Sequence, residues 1–307
     1  MIGQLARDRN LLLNLLMYIP PAPVGAAAVV LDILTRGHAL RSHFVPRFAL
    51  AIFGTIAIAS GIVPLLGLRP PDRTAADVIP VTLLHWNVQW GGRHRTESAW
   101  EETAQRILSR RPDVIVLSEA PPETWLAHSL RRAGGEWHTA EIANDPGSHY
   151  WYRLIVCSRR PVHFDSRVPV RNGAAMAVTV DVEGRPLRLL VVDGISTITL
   201  SRTPFLSDVA AACETGAGYD VIVGDFNSVG RSVGFDAVRR ADGSYRDASE
   251  YCGGYRATWP APLPLYDIDH VLVRAGNSVT HCEIFSSALL ESDHRGQFVS
   301  LGLARRR

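Results

Sequence analysis

No charge of one sign dominates this 307-residue chain: 32 Lys and Arg side chains face 30 Asp and Glu, a formal net charge of +2. Proteins that coat nucleic acid through phosphate contacts usually carry a basic excess, so that function is disfavoured, although a local basic groove is not. Cysteine is also scarce. The four present, Cys157, Cys213, Cys252 and Cys282, lie far apart and form no C-x-x-C pair, which argues against a zinc ribbon or a thioredoxin-type site. They read as free buried thiols, with up to two disulfides as the alternative. Internal repeats and low-complexity tracts are lacking as well.

What the chain has in quantity is apolar residues, 47% of the total, unevenly placed. Phe48 to Leu68 (FALAIFGTIAIASGIVPLLGL) carries no charge. Its roughly 21 residues are enough to cross a hydrocarbon layer of about 30 Å, and a buried helix of a globular domain would show a polar face. Leu11 to Leu34 is a weaker stretch, holding Asn14, Asp32 and the prolines Pro20, Pro21 and Pro23. It reads as a first span, a hairpin partner of the second, or a signal-like segment behind Arg7 and Arg9. Residues 1–69 are therefore expected to form a membrane anchor with one or two transmembrane helices. Arg36, Arg41 and Arg47 between the two stretches mark a cytoplasmic loop by the positive-inside rule, placing the remainder on the extracytoplasmic side. Arg7, Arg9, Arg69 and Arg73 offer similar charge on the opposite face. A polar, proline-containing linker follows over 70–79, and residues 80–307 have the size of one α/β domain.

That domain reads as short apolar runs bounded by turn residues. Strands are expected at Val81–Val88, Asp113–Leu117, Leu154–Cys157, Ala175–Val182, Leu187–Val192, Val221–Val223 and Ile268–Val273. Helices are expected at Ser98–Arg110, which starts on a capping-type serine and stops before Pro112, and at Thr203–Glu214. Many strands with few helices fit two facing sheets flanked by helices better than one alternating parallel sheet.

Polar residues recur where the apolar runs stop. His85-Trp86-Asn87-Val88-Gln89 closes the first strand, and Glu119 follows Val114–Ser118 directly. Asp225 and Asn227 follow Val221–Gly224, Asp269 opens the strand at Ile268, and Ser292-Asp293-His294 precedes the last apolar run, Phe298–Leu303. Side chains two apart on an extended segment share a face, so Asp225 and Asn227 are expected in one site. Carboxylate and amide oxygens in a cluster suit a hard cation such as Mg²⁺. Trp86, Trp90 and Trp259 are candidates for a cleft wall, with core packing the expected role of Trp86. Arg93, His94 and Arg95, in the loop after Gly91-Gly92, either contact substrate phosphate or are solvated.

The ordered set HWNVQ, DVIVLSE, IVCSRRPV, VIVGDFNS, IDHVLV and SDH resembles the endonuclease/exonuclease/phosphatase superfamily over Leu83 to Leu303. The resemblance implies a four-layered α/β sandwich of the deoxyribonuclease I type, here preceded by N-terminal transmembrane helices. It implies an Mg²⁺- or Mn²⁺-dependent hydrolase of phosphate esters, which the N-terminal apolar stretches are expected to tether to the membrane. Glu119 matches the metal-binding glutamate, with Asn87 ordering metal and phosphate and Asp293 beside the metal or its water shell. Asp225 matches the aspartate that orients or deprotonates the attacking water, and Asn227 the amide that contacts the phosphate. His294 matches the histidine that binds the phosphoryl group, and Asp269 the carboxylate that holds this histidine. The substrate is expected to be nucleic acid, a lipid head group or a soluble ester. One position departs from the pattern: Asp193 or Gly194 stands where many members carry a further histidine. That loss motivates the alternative, a catalytically silent binding or scaffold module on the same fold.

Overall fold

The computed structural model describes residues 7–8, 15–35, 49–73, 77–144, 151–215, 218–242, 244–286 and 291–305. The chain divides into two compact units, residues 1–66 and 67–307.

In the first unit, α1 (Pro21–Thr35) packs on α2 (Ala49–Ile62). Glycines bring the two backbones together: a Cβ on Gly25 would stand 2.4 Å from the Gly54 carbonyl oxygen, and one on Gly61 would stand 2.8 Å from the Ala22 nitrogen. The membrane-span expectation fails here. No described helix is long and apolar enough to cross a membrane. At 15 and 14 residues, α1 and α2 extend about 22 and 21 Å at 1.5 Å per residue, short of the roughly 30 Å required. The uncharged run Phe48 to Leu68 is not one continuous helix, because a 3-10 turn at Val63–Leu65, containing Pro64, follows α2. The membrane localisation and extracytoplasmic placement built on that span are corrected with it. Arg36, Arg41 and Arg47, on which the orientation rested, lie outside the described residues.

The second unit contains the strands β1 (Val78–Asn87), β2 (Val114–Ser118), β3 (His138–Ala143), β4 (Arg153–Ser158), β5 (Val162–Arg167), β6 (Gly173–Val182), β7 (Arg185–Gly194), β8 (Val221–Asp225), β9 (Tyr245–Asp247), β10 (Asp269–Arg274), β11 (Ser278–Phe285) and β12 (Gly296–Ala304). They form two six-stranded sheets, ordered β11-β12-β1-β2-β4-β3 and β5-β6-β7-β8-β10-β9. The fold is mixed α/β with two sheets, as the strand count suggested.

Alternation along the strands builds the layers. Leu83, Val116 and Leu154 of one sheet meet Met176, Val191, Val223 and Val271 of the other in a fully buried central core. Their neighbours point the opposite way. Leu84, Trp86 and Ile115 pack against Trp100 and Ile107 of α3 (Glu97–Ser109) and Leu126 of α4 (Glu123–Arg132). Val192, Ile222 and Leu272 pack against Phe205 and Val209 of α5 (Thr203–Glu214) and Phe235 of α6 (Val233–Arg240). The central strands are buried on both faces, so they read as unbroken apolar runs rather than alternating ones.

Some details differ from expectation. The α3 cap is Thr96, whose hydroxyl accepts from the Ala99 N–H at 3.3 Å, and not Ser98. Strands β3, β5, β9 and β11 were not anticipated, nor were helices α4 and α6, which are only 10 and 8 residues long. Cys252 and Cys282 form a disulfide, while Cys157 and Cys213 are free and buried.

Candidate active site

Register places the polar strand ends at one edge of the two sheets. Asn87 on β1 pairs with Ser118 on β2, and Glu119 follows at once. In the other sheet Asp225 lies between Asp193 of parallel β7 and Asp269 of antiparallel β10. β10 runs opposite to β8, so its first residue meets the last residue of β8, which explains why one carboxylate ends a run and the other begins one. Gly224 is what allows β8 this close: it has φ +152°, and a Cβ there would stand 1.8 Å from the Val192 carbonyl oxygen.

Asn87 ties the two sheets together. Its amide nitrogen donates to Asp225 Oδ2 at 3.0 Å and to Glu119 Oε1 at 3.3 Å, while its oxygen accepts the Gln89 N–H at 3.0 Å. Ser292 extends the link, donating to the Asn87 carbonyl at 2.7 Å and accepting the His294 N–H at 3.0 Å. His294 then reaches the second sheet. Its Nδ1 stands 2.8 Å from Asp269 Oδ2, and its Nε2 stands 3.8 Å from Asp225 Oδ2 and 4.0 Å from Asp293 Oδ1. Asp293 also accepts from the Trp259 indole at 3.1 Å.

The expected sharing of one face by Asp225 and Asn227 has a different cause. The strand stops at Asp225, and Asn227 adopts a left-handed φ of 46°. A turn joins them, with Asp225 Oδ1 accepting the Asn227 N–H at 2.8 Å. The Asn227 amide donates to the Gly194 carbonyl at 2.8 Å, and Arg202 donates to the Asn227 carbonyl at 3.0 Å. Gln89, Trp90 and Glu119 also have positive φ, at 47°, 62° and 45°. Such conformations cost about 1–3 kcal/mol each and cluster where a site is held in place. At the departing position, Asp193 is buried beside Asp225. Gly194 has no room for any side chain, since a Cβ would meet the Phe226 carbonyl oxygen at 2.4 Å.

Burial sets the electrostatics. It pushes the Asp225 carboxyl up to about 7, with Asp269 adding to the effect and His294 opposing it. Glu119 is raised by burial too, against the Asn87 hydrogen bond. Burial disfavours a charged His294, yet Asp269 and Asp225 outweigh it and hold the imidazolium up to about 10. Burial likewise works against the Asp269 charge, and the His294 charge and hydrogen bond keep this carboxyl below its ordinary range. His294 is therefore a fixed cation at neutral pH, with Nδ1 engaged and Nε2 directed at Asp225.

Among the described residues, Asp225, Asp269 and His294 bring one ligand-type atom each within 4.8 Å of one another. Of the three, His294 and Asp269 share a hydrogen bond of 2.8 Å, and Asp225 stands 3.8 Å from the other ring nitrogen. Glu119 and Asp293 border the triad as further carboxylates, and their hard oxygens, with four acids in one place around a single imidazolium, fit a divalent cation.

Sequence reasoning missed a second buried pair. His270 points to the opposite face of β10 from Asp269, and its Nδ1 stands 2.7 Å from Asp247 Oδ2. Its Nε2 stands 3.1 Å from the Ser228 carbonyl, and its ring lies 4.5 Å from Phe235. Only the alternation of the IDH segment hinted at it. Ser292 falls within the SDH motif but had no role assigned to it, while Arg202 and Gln297, which donates to the Asp269 carbonyl at 2.7 Å, carry no signal visible in one sequence.

The profile of the Endonuclease/Exonuclease/phosphatase family matches residues 84–294. No curated protein matches the chain. Among solved structures, an endonuclease/exonuclease/phosphatase family protein from Bacteroides thetaiotaomicron is similar at 16% identity and TM-score 0.59, covering 74% of this chain and 99% of that one. Zebrafish (D. rerio) TDP2, solved with a single-strand DNA product, is 18% identical at TM-score 0.55, covering 72% and 98%. A mannosyl-6-phosphatase from B. thetaiotaomicron VPI-5482 is 16% identical at TM-score 0.55, covering 72% and 99%.

Proposed function

This chain belongs to the endonuclease/exonuclease/phosphatase family, and from that premise we propose that it is a divalent-metal-dependent hydrolase of phosphate esters. The observation that carries the reading is the buried pair of His294 and Asp269 set beside Asp225, whose carboxyl is pushed up to about 7. A general base works best with a pKa near the operating pH.

Asp225 accepts the proton of the attacking water and aims its oxygen at phosphorus. The His294 Nε2–H donates to a phosphoryl oxygen as charge builds on it, and Asp269 keeps the ring charged and oriented. Asn227 sits on the turn after Asp225, where its amide adds a contact to the phosphate. Glu119, Asn87 and Asp293 would hold Mg²⁺ or Mn²⁺, which would offset charge on the phosphoryl oxygens. The amide of Asn87 keeps Glu119 and Asp225 at a fixed separation for this purpose. The named relatives act on, or are bound to, different phosphate-bearing molecules, so the class of ester is a separate question.

The test uses the full chain, stripped of metal and assayed with and without Mg²⁺ or Mn²⁺. The panel is DNA, RNA, phosphoinositide, sphingomyelin and a chromogenic phosphodiester. Metal-dependent turnover of one class, abolished in a folded His294→Ala variant, is the expected result. A folded chain that binds Mn²⁺ and turns over nothing favours the silent module, with Asp193 in place of an imidazole as the reason.

A further inference from the structure

A cavity of about 640 Å³ opens beside Glu119, lined by Trp90, Trp125, Trp151, Arg95 and Arg153 together with Ala120 and Pro122. Two of its lining residues adjoin Glu119 through the backbone. Ala120 follows Glu119, and the Trp90 N–H donates to the Glu119 carbonyl at 2.6 Å. The Arg95 charge also reaches the Glu119 carboxylate. Three of the chain's seven tryptophans line this one cavity. Trp125 packs over Gly91, where a Cβ would stand 3.2 Å from its ring. Arg153 is locked by hydrogen bonds to the Pro121 carbonyl at 2.6 Å and to Glu141 Oε2 at 3.0 Å. Trp151 is 69% exposed, leaving its indole face open.

The composition of the wall selects its occupant. None of the lining residues is Asp, Glu, Asn, Gln, Ser or Thr, so a sugar would find no side-chain acceptors for its hydroxyls. A saturated chain would gain burial but nothing from the two guanidiniums. Flat π faces beside planar cations favour a flat, electron-rich ring. The chain has no lysine, its 32 Lys and Arg positions all being Arg, so the cations at this cavity are planar guanidiniums rather than point charges.

We propose that this cavity is a subsite for a planar aromatic group carried on the bound phosphate ester, either a nucleobase or an aryl ring. The inference rests on the phosphate-ester reading of the neighbouring site. A ring stacked here would fix the ester's orientation while its phosphate reaches His294 and Asp225.

Calorimetric binding to the full chain in Mg²⁺ tests this without requiring turnover. The probes are AMP against ribose 5-phosphate, phenyl phosphate against glycerol phosphate, and inorganic phosphate alone. Stacking on one aromatic side chain predicts a preference of about tenfold or more for the aromatic member of a pair. Trp151→Ala should bring that preference near unity and leave inorganic phosphate binding unchanged, while Trp151→Phe retains most of it. Preference within the AMP pair alone assigns a nucleobase, and preference within the phenyl pair an aryl ring. Phosphates that bind with no preference in either pair, or a preference unmoved by Trp151→Ala, would overturn the subsite and leave the phosphate site standing. Failure of every phosphate to bind would overturn both.

Discussion

Replacing Asp269 with Asn keeps the shape of the side chain and removes the charge that holds His294 protonated. In the wild type the imidazole is raised from 6.5 to about 10, and each pKa unit corresponds to about 1.4 kcal/mol of differential stabilisation. The shift thus represents roughly 5 kcal/mol at most, shared by Asp269, Asp225 and Asp293. Breaking a buried ion pair from one side costs about 3–5 kcal/mol. The lower end, about 3 kcal/mol, is expected because the Asn oxygen can still accept from Nδ1. A raised histidine stabilises the fold fully below its unfolded value of about 6.5 and loses that contribution as pH rises through about 10. The deficit of Asp269→Asn should therefore be largest near pH 6 and shrink above pH 10, where the wild type would keep a buried carboxylate without its counter-charge. Urea unfolding followed by tryptophan fluorescence reads this directly, since all seven tryptophans lie within residues 67–307. A variant as stable as wild type at pH 6, or a wild type whose stability is flat from pH 7 to beyond 10, would refute the charged-pair argument.

Three further outcomes follow from the same geometry. Mg²⁺ should raise the melting temperature more at pH 8 than at pH 5, because burial raises the Glu119 carboxyl and protons compete with a cation for it in acid; equal shifts at both pH values would count against a carboxylate metal site. Gly224→Ala should cost at least about 4 kcal/mol or prevent folding, given a Cβ 1.8 Å from the Val192 oxygen, and a variant with wild-type melting would contradict this packing. Cys252→Ser opens a loop with a sequence separation of 30 and should lower stability by about 3–4 kcal/mol, measurable by urea unfolding with and without reductant.

The strands that bear the site were readable because both of their faces are buried. Val114–Ser118 and Val221–Asp225 are short apolar runs, and the candidate carboxylates Glu119 and Asp225 stand at their ends. Strand β5, by contrast, is exposed along most of its length, and its alternation is too weak to separate from a loop. The GDFN segment was legible as a candidate site, but the reason given for its geometry was incomplete: a turn with a left-handed Asn227, not an extended strand, joins it to Asp225. Apolar content misled at the front of the chain. Hydropathy registers Phe48 to Leu68 as one stretch, but helix length depends on where the backbone turns, and a 3-10 turn containing Pro64 follows residue 62. The Cys252–Cys282 bond and the Trp90, Trp125 and Trp151 cavity join residues far apart in sequence. No local pattern encodes such pairings.

The central claim is that Asp225 activates water for attack on a metal-bound phosphate ester. The most direct measurement compares wild type with Asp225→Asn on bis(p-nitrophenyl) phosphate, using metal-stripped full chain with Mn²⁺ added back and melting temperature recorded alongside. The account predicts turnover only with Mn²⁺, and a rate in the variant lower by about 10²–10⁴-fold, as expected for loss of a general base, in a protein that remains folded. Wild-type turnover by folded Asp225→Asn, or turnover that does not depend on added metal, would contradict it.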